Sequence, residues 1–158
     1  MRKPYKVRDR GRAVFLLDRE EFERWFRTAK KSLESAEGDA ERGDYNWACF
    51  KSHQAAELSV KALLHGLGLH AYGHSVARLL REASSRGLSV PGELVDCARE
   101  LDKLYIPTRY PNAWAEGAPF EYYTAGDAAK AISASKRILE WVEDTWRSLE
   151  GELRRGGE

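Results

Sequence analysis

The sequence predicts an all-α protein, an antiparallel up-and-down bundle of about five helices. Three observations lead there. Apolar residues recur at three- and four-residue spacing through most of the chain, the period of a helix face. No segment alternates in the way a half-buried strand does. Glycine, proline and capping residues cut the pattern into segments joined by short connections, which favour antiparallel neighbours.

Residues 1–18 are basic, then briefly apolar at Val14, Phe15, Leu16 and Leu17, and are read as an extension that lies across the bundle. Asp18 is placed as the N-cap of the first helix, with Glu21 completing a capping box. The stripe Phe22, Trp25, Phe26, Ala29, Leu33, Ala36, Ala40 defines an amphipathic helix from about Arg19 to Arg42. Gly43 stops it, and Asp44 is placed as the cap of the next.

The second helix, from Tyr45 to Leu67, is the longest uninterrupted helical pattern and carries three faces. One is small: Ala48, Ser52, Ala55, Ser59, Ala62, Gly66. One is apolar: Cys49, His53, Ala56, Val60, Leu63, Leu64, Leu67. One is polar, with Glu57 and Lys61 a turn apart. A helix with two packing faces belongs at the centre of a bundle. The small face suits close intramolecular packing or a self-contact about a two-fold axis. Gly66 and Gly68 are placed as its termination.

His74 and Ser75 lead into a helix of about three turns through Val76, Leu79, Leu80 and Ala83, closed by Gly87. Ser89 and Pro91 open a fourth helix, through Leu94, Val95, Ala98, Leu101 and Leu104, which ends at Pro107. Residues 105–123 hold three prolines and a glycine beside Tyr105, Tyr110, Trp114, Phe120, Tyr122 and Tyr123. Such aromatic density belongs to an ordered loop rather than a disordered linker. Thr124, with Asp127 in a capping box, opens a last helix along Ala128, Ala131, Ile132, Ser135, Ile138, Leu139, Val142, Trp146 and Leu149. The expected organisation is an extension over 1–18, a bundle over 19–150 and a frayed tail over 151–158.

Length and composition bound the function classes. At 158 residues one domain with a substantial core is expected. The 26 basic and 25 acidic side chains nearly cancel, which removes the strongest compositional sign of a nucleic-acid binder and leaves a local basic patch open. No apolar run approaches the ~20 residues of a membrane span, and none resembles a signal peptide. A cytoplasmic protein with no membrane association is expected. Cys49 and Cys97 form no CxxC unit, so neither a disulfide framework nor a structural zinc site is expected. One Gln, two Asn and one Met among abundant Arg and Glu suggest a heat-adapted source.

Candidate chemistry centres on the loop after the fourth helix. Arg109 offers a bidentate phosphate donor, and Tyr105, Tyr110 and Trp114 offer rings for base stacking. Asp102 is placed to orient Arg109. The alternative is that Arg109 pairs with an acid and the aromatics seal the bundle end. Lys61 is a second candidate, as one wall of a cleft shared with Arg109; the plainer reading is a solvated pair with Glu57. His53 reads as a hydrogen-bonded core residue. His65, His70 and His74 lack a carboxylate or cysteine to complete a metal set, so no metal is expected. His74 reads as the start of the third helix, hydrogen-bonded across its loop. No phosphate-cradling glycine loop is present, and no cofactor is implied.

The phrases DYNWACFKSHQAAELSVKALL, GHSVARLL, LDKLYIPTRYP and AAKAISASKRILEWVE, in register over residues 19–147, resemble the higher eukaryotes and prokaryotes nucleotide-binding domain family, HEPN. The resemblance implies an antiparallel helical bundle, a homodimer, and a minimal nucleotidyltransferase encoded nearby as partner. It also implies binding of a nucleotide or RNA. Some members are toxins that cleave RNA with an Arg followed four to six residues later by His. Here Trp114 stands five positions after Arg109, and no His follows His74. RNA cleavage needs a group that moves a proton near neutral pH, so no catalytic residue is assigned. A binding accessory protein ranks first, an RNase second and a non-catalytic dimeric interaction module third.

Overall fold

The computed structural model describes the backbone at 6–9 and 12–15 and all of residues 17–156. Five α-helices dominate: α1 (Arg19–Arg42), α2 (Tyr45–Gly66), α3 (Val76–Ser85), α4 (Gly92–Asp102) and α5 (Ala125–Arg155). The expected all-α bundle is the observed fold. It is preceded by a two-stranded antiparallel hairpin, β1 (Lys6–Asp9) and β2 (Arg12–Phe15), in the register Lys6 to Phe15 and Asp9 to Arg12. Two four-residue strands are too short to leave an alternation legible in the sequence. Most of the N-terminal extension's side chains lie outside the described residues.

α2 packs against α1, α5, α3 and α4, which explains why even Glu57 and Lys61 of its polar face are buried. Its small face is buried throughout: Ala48, Ser52, Ala55, Ser59 and Ala62 are all sealed inside the chain. That face is therefore an intramolecular seam, and any self-association uses another surface. Gly66 marks the closest point. A Cβ there would sit 2.5 Å from the Trp146 ring, and Trp146 stacks on Phe22 at 4.1 Å between centroids. Gly66 is needed for space, while Gly68, at φ +78°, supplies the left-handed backbone that ends the helix.

Caps differ from the sequence reading in two places. Asp18 accepts from the Glu21 amide, but the Glu21 carboxylate turns to the Trp25 indole N–H and to Arg24 instead of closing the box. Asp44 makes no side-chain cap; its carboxylate faces Arg42 at 3.5 Å. The box at Thr124 and Asp127 is complete. α5 continues through the expected tail as far as Arg155. Gly157 and Glu158 lie outside the described residues.

Candidate functional site

Beyond α4 the chain makes turns to Arg109 and then two short 3-10 turns, at Pro111–Ala113 and Pro119–Glu121. Buried Thr108 anchors it. Its hydroxyl donates to the Leu104 carbonyl at 2.6 Å, and its own carbonyl accepts from the Asn46 side chain of α2 at 3.1 Å. Asn46 is itself buried, so this bond ties the loop to the start of α2 away from water. The next residue, Arg109, is thereby held over α2.

The Arg109 guanidinium lies 4.2 Å from the centre of the Phe50 ring, 4.5 Å from Tyr105 and 4.9 Å from Tyr110. Cation–π attraction holds it in that aromatic frame. Its Nε and Nη2 both donate to the Tyr105 carbonyl, at 2.9 and 2.6 Å. A guanidinium has five N–H donors, so its outer edge keeps donors for a ligand. No acid pairs with it among the described residues. The alternative in which Arg109 pairs with an acid is not what the geometry of the described residues provides.

The other predicted residues separate. Trp114 donates its indole N–H to the Pro107 carbonyl at 2.8 Å and stacks on Tyr122 at 3.9 Å. Its ring holds the loop together, so it does not reach Arg109. Tyr110 is half exposed beside Arg109 and offers an open ring. Tyr105 is already in contact on its ring with Arg109 and with His74, whose imidazole stacks at 4.7 Å. Asp102 does not orient Arg109. Its carboxylate crowns α3, accepting from the Val76 and Ala77 amides at 2.8 and 3.1 Å and from the Ser75 hydroxyl at 2.9 Å. Buried His53 adds a fourth bond at 3.2 Å. Burial pushes the Asp102 carboxyl up, but the four donors outweigh it and hold the group below its ordinary range.

Lys61 is nearly buried and reaches Glu57 Oε2 at 3.2 Å, so the pair is not the solvated one that spacing suggested. Glu57 Oε1 in turn faces His74 Nδ1 at 2.9 Å. A chain of contacts thus runs outward: Lys61, Glu57, His74, Tyr105, Arg109. His74 is 57% exposed at its side chain, whereas Glu57 is 5% exposed. The site is open. A surface groove of about 410 Å³ between α1 and α5, lined by Phe22, Phe26 and Trp146, includes none of these residues.

Sequence reasoning had not joined His74 to Arg109, nor singled out Asn46, Phe50 or Trp47. Trp47 is half exposed and meets Phe50 edge-on at 6.2 Å, extending the aromatic frame. The signal was present in DYNWACF, where polar and aromatic residues open an otherwise small-residue helix.

The family model for the HEPN domain matches residues 22–145. The chain belongs to the HEPN domain family. It is 40% identical to a Thermus thermophilus protein of known structure, with a TM-score of 0.77 over 79% of this chain and 98% of that one. An archaeal HEPN homologue is 42% identical, with a TM-score of 0.67 over 78% and 95% of the two chains. A HEPN domain protein from Thermotoga maritima is 40% identical, with a TM-score of 0.65 over 78% and 98%. No curated protein is similar to the chain. The HEPN bundle here contains no helix, among the described residues, long and apolar enough to cross a membrane, and no described cluster of His, Cys, Asp and Glu that could hold a metal.

Proposed function

We propose that this HEPN protein is a homodimeric nucleotide- or nucleic-acid-binding accessory subunit that acts with a minimal nucleotidyltransferase. The observation carrying the ligand part is the Arg109 guanidinium, framed by Phe50, Tyr105 and Tyr110 with its outer donors free. A phosphate meets those donors, and a base lies on Tyr110 or Trp47. The partner and the dimer rest on family membership.

Titrating ATP, GTP and a short single-stranded RNA, followed by tryptophan fluorescence, tests the ligand. Saturable binding is expected, weakened at least tenfold in Arg109→Ala by loss of a charge-assisted contact. Binding that Arg109→Ala leaves unchanged would exclude this site. Copurification with a nucleotidyltransferase and sedimentation of the purified chain test the partner and the dimer.

A second reading, metal-independent RNA cleavage, is favoured by one observation: an imidazole, His74, reaches the Arg109 site from another part of the chain. Labelled RNA that stays intact under a large excess of protein, with chelator present, removes it.

A further inference from the structure

α3 carries cations that the bundle leaves unpaired. Its inner face, Val76, Leu79, Leu80 and Ala83, is buried in the core. Arg78 and Arg81, three residues apart on the opposite face, are neighbours there and both exposed. Neither pairs with an acid among the described residues. The acids of α4, which packs on α3, are taken elsewhere: Glu93 by Arg137, Asp96 by Arg99 and Glu100 by Lys103. Glu82, the one acid of α3, is half-buried and forms no ion pair among the described residues.

The turn before α3 adds a ring. Buried Ala71 pins that turn, yet Tyr72 beside it is 71% exposed. His70 lies nearly parallel to the Tyr72 ring at 6.2 Å and leaves most of it to solvent. Gly73, at φ +88°, turns the chain towards α3, and Arg78 lies over it: a Cβ on Gly73 would sit 3.2 Å from Arg78 Nη1. One residue on, His74 stacks on Tyr105, the ring beside Arg109. Tyr72, Arg78 and Arg81 thus continue the surface that begins at Arg109. An open ring beside unpaired arginines suits a nucleic-acid strand, whose phosphates meet guanidiniums and whose bases all stack. A free nucleotide has no second base or phosphodiester to place there. An acidic protein surface would meet the arginines but gives the bare Tyr72 ring no partner. We propose that Tyr72, Arg78 and Arg81 form a track that carries a single-stranded polynucleotide onward from Arg109, so that the ligand is a strand rather than a free nucleotide. This rests on the phosphate-binding role of Arg109 given above.

Counterion release makes the track measurable. Each phosphate neutralised on a single strand adds about −0.7 to the slope of log K against log salt. Arg109 alone gives a slope of about −0.7, and Arg109 with Arg78 and Arg81 a slope of about −2. Stacking on Tyr72 neutralises no phosphate, so it adds affinity without steepening the slope.

The probes are a fluorescein-labelled decamer of oligouridylate and its 2′-deoxy counterpart, with uridine monophosphate as competitor. Anisotropy titrations are run with the full chain between about 50 and 300 mM salt. The wild type is expected to show a slope of about −2, and the double variant Arg78→Gln, Arg81→Gln a slope of about −0.7 with affinity down at least about tenfold. Tyr72→Ala is expected to weaken binding about tenfold at an unchanged slope. Uridine monophosphate is expected to compete at least about tenfold less tightly than unlabelled decamer. Thermal melts close to wild type show that the variants fold. Should either not fold, the wild-type slope and the monophosphate competition decide. A wild-type slope near −0.7 overturns the inference. So does monophosphate binding as tight as the decamer's. Strand binding that weakens in Arg109→Ala but is unchanged in either folded variant also overturns it; the Arg109 site then stands, and the α3 arginines fall to an acidic protein surface. Track-dependent binding of one decamer alone upholds the track and names its source as RNA or DNA; binding of both upholds it for either. Binding of neither overturns both readings.

Discussion

Two histidine–carboxylate pairs branch from one turn of α2, and they have opposite fates. His53 is fully buried and donates Nε2 to the His74 carbonyl at 2.8 Å and to Asp102 at 3.2 Å. Asp102 is saturated by the α3 amides, Ser75 and that imidazole. Nothing in this pair faces a ligand; it fastens α2, α3 and α4 together. Glu57, one turn along, is just as buried, yet its histidine points outward beside Arg109. Residue type alone does not separate the two. What separates them is access to water: the one unmatched nitrogen of the buried pair, His53 Nδ1, is sealed inside the fold, whereas His74 is 57% exposed at its side chain. A network closed to water is architecture, and one that opens to water beside an arginine is a candidate site.

The sharpest way to break this distinction is to cut each pair and compare stability. Asp102→Ala leaves the buried Val76 and Ala77 amides at the start of α3 without an acceptor, while the His53 N–H keeps the His74 carbonyl. A lost helix cap costs about 1 kcal/mol and each stranded buried donor about 1–3 kcal/mol, so a combined loss of about 3 kcal/mol is expected. His74→Asn, at an exposed position with the Glu57 contact retained, is expected to lose less than about 1 kcal/mol. Urea unfolding of the two variants measures the difference. Equal losses would mean that the His74 pair is structural too.

The sequence carried the bundle well because helix periodicity and punctuation are local. The stripe from Phe22 to Ala40, the glycine at 43 and the box at Thr124 and Asp127 each announce themselves within a few residues. The site was legible only in part for the converse reason. Arg109 and Tyr110 stand out in one short loop, and that loop is indeed where the guanidinium sits in its aromatic frame. His74 meets them through a contact to Tyr105, 31 positions away along the chain. Asn46 anchors the loop across 62 positions. No spacing rule reaches across such separations. Asp102 was misread for a related reason: Arg109 lies in the loop that follows it along the chain, whereas its partners are α3 amides brought in by the fold. Lys61 and Glu57 looked solvated because a four-residue spacing says nothing about what covers the pair.

Acid titration probes a finer contrast, between a histidine that burial disfavours and a carboxylate that hydrogen bonds favour. His65 stacks against Trp25 at 4.5 Å, and burial is the main reason that its pKa lies below the ordinary 6.5, with Glu21 pulling the other way. The unfolded chain then binds the proton more readily than the folded one. Stability is unaffected well above pH 6.5 and declines as pH falls below it. Asp102 behaves differently. Its folded pKa also lies below the ordinary value, here 3.8, because its hydrogen bonds favour the charged form. Its contribution is complete above 3.8 and is lost only as pH falls from there through the folded value. Two separate steps are therefore expected in the stability–pH profile. His65→Phe, which keeps a ring against Trp25 and does not titrate, should flatten the step below pH 6.5 and leave the one below 3.8. Asp102→Asn should do the reverse, on top of a lower stability at neutral pH. Chemical denaturation from pH 8 to pH 3 reads both. A single step that neither variant moves would show that other groups carry the acid sensitivity, and that the Asp102 hub is held by its geometry rather than by its charge.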